Sequence, residues 1–95
     1  MTRIIVRELV WDQANLEHIS KHNISKEEVE EAKEIIYHRR TYGGKYLATG
    51  RSDSRLITII LRRIGVGKYY TVTARDASRK ERRKIYEIEE KKQNP

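Results

Sequence analysis

The hexapeptide L-I-T-I-I-L at Leu56–Leu61 most restricts what this chain can become. A strand built from it is apolar on both faces, and a central place in a sheet covers both. Turn signals bracket it: S-D-S at 52–54 leads into a strand over Arg55–Arg63, and Gly65 and Gly67 follow. Upstream, Gly43-Gly44 is a turn and Lys45–Arg51 reads as a strand. Downstream, Tyr69–Arg75 is the last strand, with Tyr70, Val72 and Ala74 on one face and Tyr69, Thr71, Thr73 and Arg75 on the other. Three consecutive strands joined by tight turns make an antiparallel meander.

The N-terminal half is read from its caps. Ile4–Val10 is β-rich, and Asp12 can cap a helix starting at Gln13. Asn23 is a suitable stop, since asparagine tolerates the left-handed conformation found past helix ends. Ser25-x-x-Glu28 is a capping box for a second helix whose apolar stripe is Val29, Ala32, Ile35 and Ile36. Ser78-x-x-Glu81 opens a last helix through about Glu90, with a thin stripe of Ile85 and Ile88, and residues 91–95 read as a frayed tail. Trp11 is expected to anchor the first helix to the sheet, and Tyr70 to lie in the core. The order β-α-α-β-β-β-α gives one α+β domain over residues 1–95, its helices segregated from a single sheet.

Composition narrows the setting. Cysteine is absent, which excludes disulfides and thiolate metal sites. The longest apolar run is too short to cross a bilayer and the N-terminus lacks a signal-peptide layout, so a cytoplasmic protein without membrane contact is expected. Of the net charge of +7, none comes from residues 1–50, where eight basic side chains balance eight acidic ones. Residues 51–95 carry thirteen basic and six acidic side chains. That asymmetry points to a polyanionic partner, nucleic acid or an acidic protein.

Two groups of residues carry chemistry. His18 and His22 lie one helical turn apart with Lys21 beside them. That spacing could hold zinc, but H-E-x-x-H is absent and nothing supplies a third ligand. The pair could equally be helix packing, or it could serve acid–base chemistry or phosphate binding, since imidazole titrates near neutrality. The second group is basic: Arg51, Arg62, Arg63 and Arg75 at or near strand ends, and Arg79, Lys80, Arg82, Arg83 and Lys84 in the first turns of the last helix. Cations at a helix start oppose the macrodipole, which favours a phosphate-facing surface over a plain solvated one. Tyr86 stands on the same helix. No phosphate-binding glycine loop, serine elbow or carboxylate cluster occurs, so no metal and no cofactor is expected. An enzyme acting on RNA would run by attack of the ribose 2′-OH on the adjacent phosphate, with cations stabilising the phosphorane-like state.

Three blocks carry a resemblance: W-D-Q-A-N-L-E-H-I-S-K-H-N-I-S-K-E-E-V-E-E-A, then G-R-S-D-S-R-L, then T-A-R-D-A-S-R-K-E-R-R-K-I-Y. In this order, over roughly residues 10–90, they resemble the BrnT-type toxins, with Asn23 where that family has glycine. The resemblance implies a RelE-like α+β ribonuclease of a type II toxin–antitoxin pair, metal-independent and silenced by its antitoxin, the complex binding operator DNA. By motif it places His22, Arg75 and Tyr86 in the active site, with Lys21, His18, Arg51 and Arg62 beside them. His22 or Lys21 would then assist proton transfer, Arg62 and Arg75 would hold the scissile phosphate, and Tyr86 would orient substrate or donate a proton. Arg63, Arg79, Arg82 and Arg83 would add RNA contacts. An acidic antitoxin surface is the expected protein partner, and an edge strand could pair two copies as a homodimer. The alternative is a non-catalytic nucleic-acid-binding or protein-interaction module that uses the basic C-terminal half alone.

Overall fold

Residues 4–93 are described by the computed structural model, with side chains through Lys91. Five strands form one mixed sheet in the order β1-β5-β4-β3-β2. They are β1 (Glu8–Val10), β2 (Ile35–Arg40), β3 (Tyr46–Ser52), β4 (Arg55–Gly65) and β5 (Lys68–Asp76). The helices are α1 (Gln13–Ser20), α2 (Lys26–Ala32) and α3 (Arg79–Gln93). The α+β class and the β3-β4-β5 meander are as expected, and β4 is flanked on both sides. β1 joins β5 in parallel, with Leu9 opposite Tyr69.

The element order gains a strand. Ile35 and Ile36, read above as the end of the second helix, open β2, which pairs antiparallel with β3. α2 stops at Ala32 because it runs into β3. A Cβ on Gly50 would lie 2.1 Å from the Ala32 carbonyl oxygen and 3.1 Å from that of Glu34. The chain therefore turns at Lys33-Glu34, and the β-branched and aromatic run Ile35-Ile36-Tyr37 takes the pleated surface that suits it. Ile36 has no partner across the ladder, a bulge that gives Ile35 to one core and both Ile36 and Tyr37 to the other. At the ends, β1 begins at Glu8 rather than Ile4, and α3 continues through Gln93, past the start of the expected tail. Residues 94–95 and 1–3 lie outside the described residues.

The caps form as read. Asp12 and Asn15 cap α1 reciprocally, and Ser25 with Glu28 does the same for α2. Asn23 and Asp53 take positive φ at 58° and 54°. Trp11 packs against the larger core and donates to Glu30 on α2 at 2.7 Å.

The two faces of the sheet carry different layers. Ile57, Ile59 and Leu61 of β4 pack with Ile19 of α1 and Val29 and Ala32 of α2. On the opposite face Leu56 packs with Ala77 and Ile85. The sheet thus separates α1 and α2 from α3. Arg55 ties the first layer together, donating to Asp76 at 2.8 Å, to Glu28 at 2.7 Å and to the Asn23 carbonyl at 3.1 Å. These partners hold its pKa above the ordinary arginine value, the Asp76 hydrogen bond contributing most. Arg55→Ala is expected to cost about 1–2 kcal/mol, because the pairs are charge-assisted but partly solvated. A urea midpoint equal to that of the parent chain would show that the clamp contributes nothing.

Candidate functional site

A bulge in β5 builds the α3 face of the sheet. Thr73 pairs with Ile60 and Thr71 with Leu61, leaving Val72 unpaired. Simple alternation is thereby overturned. Tyr69, Thr71 and Ala74 are buried on the α1–α2 side, while Tyr70, Thr73 and Arg75 turn to the other. Tyr70, expected in the core, is partly exposed there. Its hydroxyl donates to both oxygens of Asp12, at 3.1 and 2.9 Å, and this hydrogen bond holds its pKa up. Arg62 stacks over its ring at 5.2 Å.

Cross-strand pairing then sets out this face in rows. Tyr37, Thr49, Thr58 and Arg75 form one, and Arg39, Leu47, Ile60 and Thr73 the next. α3 crosses the first row. Between its first turns and β2 runs a groove of about 540 Å³, lined by Tyr37 and Arg39 on one side and by Lys80, Arg83, Lys84 and Glu87 on the other, with Ser78 and Glu81 at its end. Four cations face two carboxylates, and one of those carboxylates is consumed internally.

That carboxylate is Glu81, 7% exposed. It accepts from Arg75 Nη1 at 2.8 Å and Nη2 at 2.9 Å, from Thr58 Oγ1 at 2.6 Å and from the Ser78 N–H at 2.8 Å. Thr58 in turn lies 2.8 Å from Thr49, both fully buried. Burial by itself would raise the pKa of Glu81. The hydrogen bonds from Arg75, Thr58 and Ser78 outweigh it and hold the carboxyl at about 2. The same pair raises Arg75 above its ordinary value.

The residues expected to share one cleft are divided. Arg62, Arg75 and Arg83 lie on the α3 face; Arg83 lines the groove, and Arg75 is joined to it through Glu81. Arg51 shares the face but is tied bidentately to Glu89, at 2.8 and 2.6 Å, which raises its pKa, with exposed Tyr86 near it. Arg79 and Arg82 are exposed on α3 away from the groove lining; the Asp76 pKa is lowered mainly by the Arg55 hydrogen bond, with a smaller contribution from the Arg82 charge. Arg63 is on the far face, paired with buried Tyr69. His18, Lys21 and His22 are exposed on and just after α1, in the layer behind the sheet. The two imidazoles do stack, 6.2 Å apart and 20° from parallel. Among the described residues no group of three or more His, Cys, Asp or Glu side chains could hold a metal ion.

Sequence reading missed Tyr37 and Arg39 as site residues and ranked Lys80 and Lys84 only as part of the helix's basic turns. Arg39 could have been found only by seeing that I-I-Y-H-R-R is a strand.

No family profile and no curated protein matches the chain. A solved structure does: the crystal structure of the Brucella abortus ribonuclease toxin BrnT, 20% identical, covering 76% of this chain and 97% of that one, at a TM-score of 0.57. The fold is that of BrnT. What the BrnT fold settles is architecture: three helices on a five-stranded mixed sheet, the element order on which the groove depends. Among the described residues no helix is long and apolar enough to cross a membrane.

Proposed function

We propose that this chain is a BrnT-type toxin, a metal-independent endoribonuclease of the cytoplasm that halts growth until its antitoxin covers it. The observation that carries this reading is the cationic groove between β2 and α3, set on a fold shared with a ribonuclease toxin. Arg39, Lys80, Arg83 and Lys84 line it, Arg75 is bound to Glu81 of that lining, and Arg62 lies farther along the same face. A backbone of closely spaced phosphates suits such a surface, and the arginines can each grip one bidentately.

In this reading the 2′-oxygen attacks its own phosphorus and the 5′-oxygen leaves with a proton, giving a 2′,3′-cyclic phosphate and a 5′-hydroxyl. Arg75 and Arg39 offset charge on the phosphorane-like state. Tyr37, Lys80 and Lys84 are the groove groups able to give or take a proton. His18, Lys21 and His22 take no part in this version, because the sheet stands between them and the groove. The antitoxin would present an acidic surface to the groove, and the toxin–antitoxin complex would bind operator DNA. The outermost strands among the described residues, β1 and β2, are where two copies could pair.

One observation favours the second reading, a non-catalytic nucleic-acid-binding module: no imidazole lines the groove among the described residues. A single experiment separates the two. Purified protein is incubated with single-stranded RNA in excess chelator, beside Arg75→Ala, Lys84→Ala and His22→Ala. The expected result is cleavage to cyclic phosphate ends, reduced at least about tenfold in the first two variants and unchanged in the third. Binding that weakens steeply with salt, without cleavage, would establish the module. A cleavage-dead His22→Ala would return the site to α1.

A further inference from the structure

Arg51, Arg55 and Arg75 all hold carboxylates, but with different edges of the guanidinium. Arg51 meets Glu89 through Nε and Nη2, the parallel pair that also grips a phosphate side-on. Arg55 spends Nε on Asp76 and Nη1 on Glu28 and the Asn23 carbonyl. Arg75 is held end-on: Nη1 and Nη2 donate to the two oxygens of Glu81, and Nη1 donates again to the Asp76 carbonyl at 3.1 Å. Three of its five N–H bonds are taken. The two that remain, on Nε and Nη2, are parallel, and no described residue accepts from them. The Arg75 side chain is 38% exposed.

Glu81 can impose this orientation because it is itself fixed. Thr58 and the Ser78 N–H hold one oxygen from behind, and Thr49 backs Thr58. We propose that Glu81 is a positioning residue: backed by Thr58, it holds Arg75 end-on so that the Nε–Nη2 fork meets one phosphodiester of RNA lying in the groove. This rests on the RNA-binding reading above and adds to it a residue that never touches the nucleic acid.

The test is binding of the full chain to a labelled single-stranded 2′-O-methyl RNA, which cannot be cleaved. Arg75→Lys, which keeps the charge and loses the fork, is expected to weaken Kd about tenfold. Glu81→Gln is expected to weaken it by a similar factor, although it removes one negative charge, which electrostatics alone would turn into tighter binding. The double variant should bind no more weakly than Arg75→Lys alone, since Glu81 acts through Arg75. Thr58→Val should move Kd in the same direction by about threefold, and carries the test if Glu81→Gln does not fold. A merely structural Glu81 would lower the melting temperature and leave Kd, measured well below it, unchanged. Overturning results are Glu81→Gln binding as tightly as the parent, or a double variant whose losses multiply. A parent chain that fails to bind RNA would overturn the RNA reading together with this one, whereas parent binding with an unaffected Glu81→Gln removes the positioning role only.

Discussion

Glu81→Ala is expected to cost about 3 kcal/mol of folding stability, most of what a domain of this size has to lose. Removing one partner of a buried ion pair costs about 3–5 kcal/mol when the other charge stays stranded. Here Arg75 can turn partly to solvent, which favours the lower end. Thr58 and the Ser78 N–H lose their acceptor, and Thr58 remains fully buried behind it. The same energy is accessible through pH. The Glu81 carboxyl is held at about 2 against its ordinary 4.5, so its contribution is fully present above 4.5 and is lost as pH falls through about 2. A carboxyl displaced this far holds about 3 kcal/mol, the size expected for Glu81→Ala. Glu28, held low by the Ser25 N–H and Arg55, and Asp76, held low by Arg55, are likewise shifted downward and add their own acid dependence. The measurement is therefore a difference: denaturant stability of the parent minus that of Glu81→Gln, between pH 5 and 2. A difference that stays flat over that window would contradict the assignment.

Gly50→Ala is expected to be of similar size, about 3 kcal/mol, for a steric reason. The added methyl carbon would lie 2.1 Å from the Ala32 carbonyl oxygen and 2.9 Å from its carbonyl carbon. Both are backbone atoms at the end of a packed helix, so no side chain can swing aside. Relief requires α2 to lift from β3, which uncovers Val29 and Ala32, both fully buried. Gly65→Ala is the control. Its new carbon would meet only the Lys68 side chain, at 3.6 Å or more, and the loss should stay within about 1 kcal/mol. Equal denaturation midpoints for the two variants would mean that α2 does not abut β3 as described.

Much of this protein follows from local rules that its residues obey wherever they sit. Leu56–Leu61 could only be an interior strand. Asp12, Ser25 and Ser78 each begin a helix because their side chains accept from N–H groups otherwise left without partners, and Asn23 and Asp53 turn the chain where left-handed backbone is needed. The basic character of the C-terminal half, and Arg62, Arg75 and Arg83 within it, is visible as charge alone.

Tertiary structure decided the rest. Ile35 and Ile36 fit the helical period and the β-branched preference equally well. A carbonyl meeting Gly50, eighteen residues farther along than Ala32, ends the helix and releases them to β2, and with them Tyr37 and Arg39 reach the groove. Alternation along β5 assigned Tyr70 and Arg75 to opposite faces. One unpaired residue, Val72, brings them to the same face, because a bulge shifts every later side chain by half a period. The His18 and His22 rings do stack, with His22 just past the end of α1, yet the layer that helix occupies depends on the parallel pairing of β1 with β5. Period and capping act over a few residues and are carried by the sequence itself. Register, bulges and the side of the sheet on which a helix lands depend on contacts between distant segments, and those contacts separate His18 and His22 from Arg62 and Arg75.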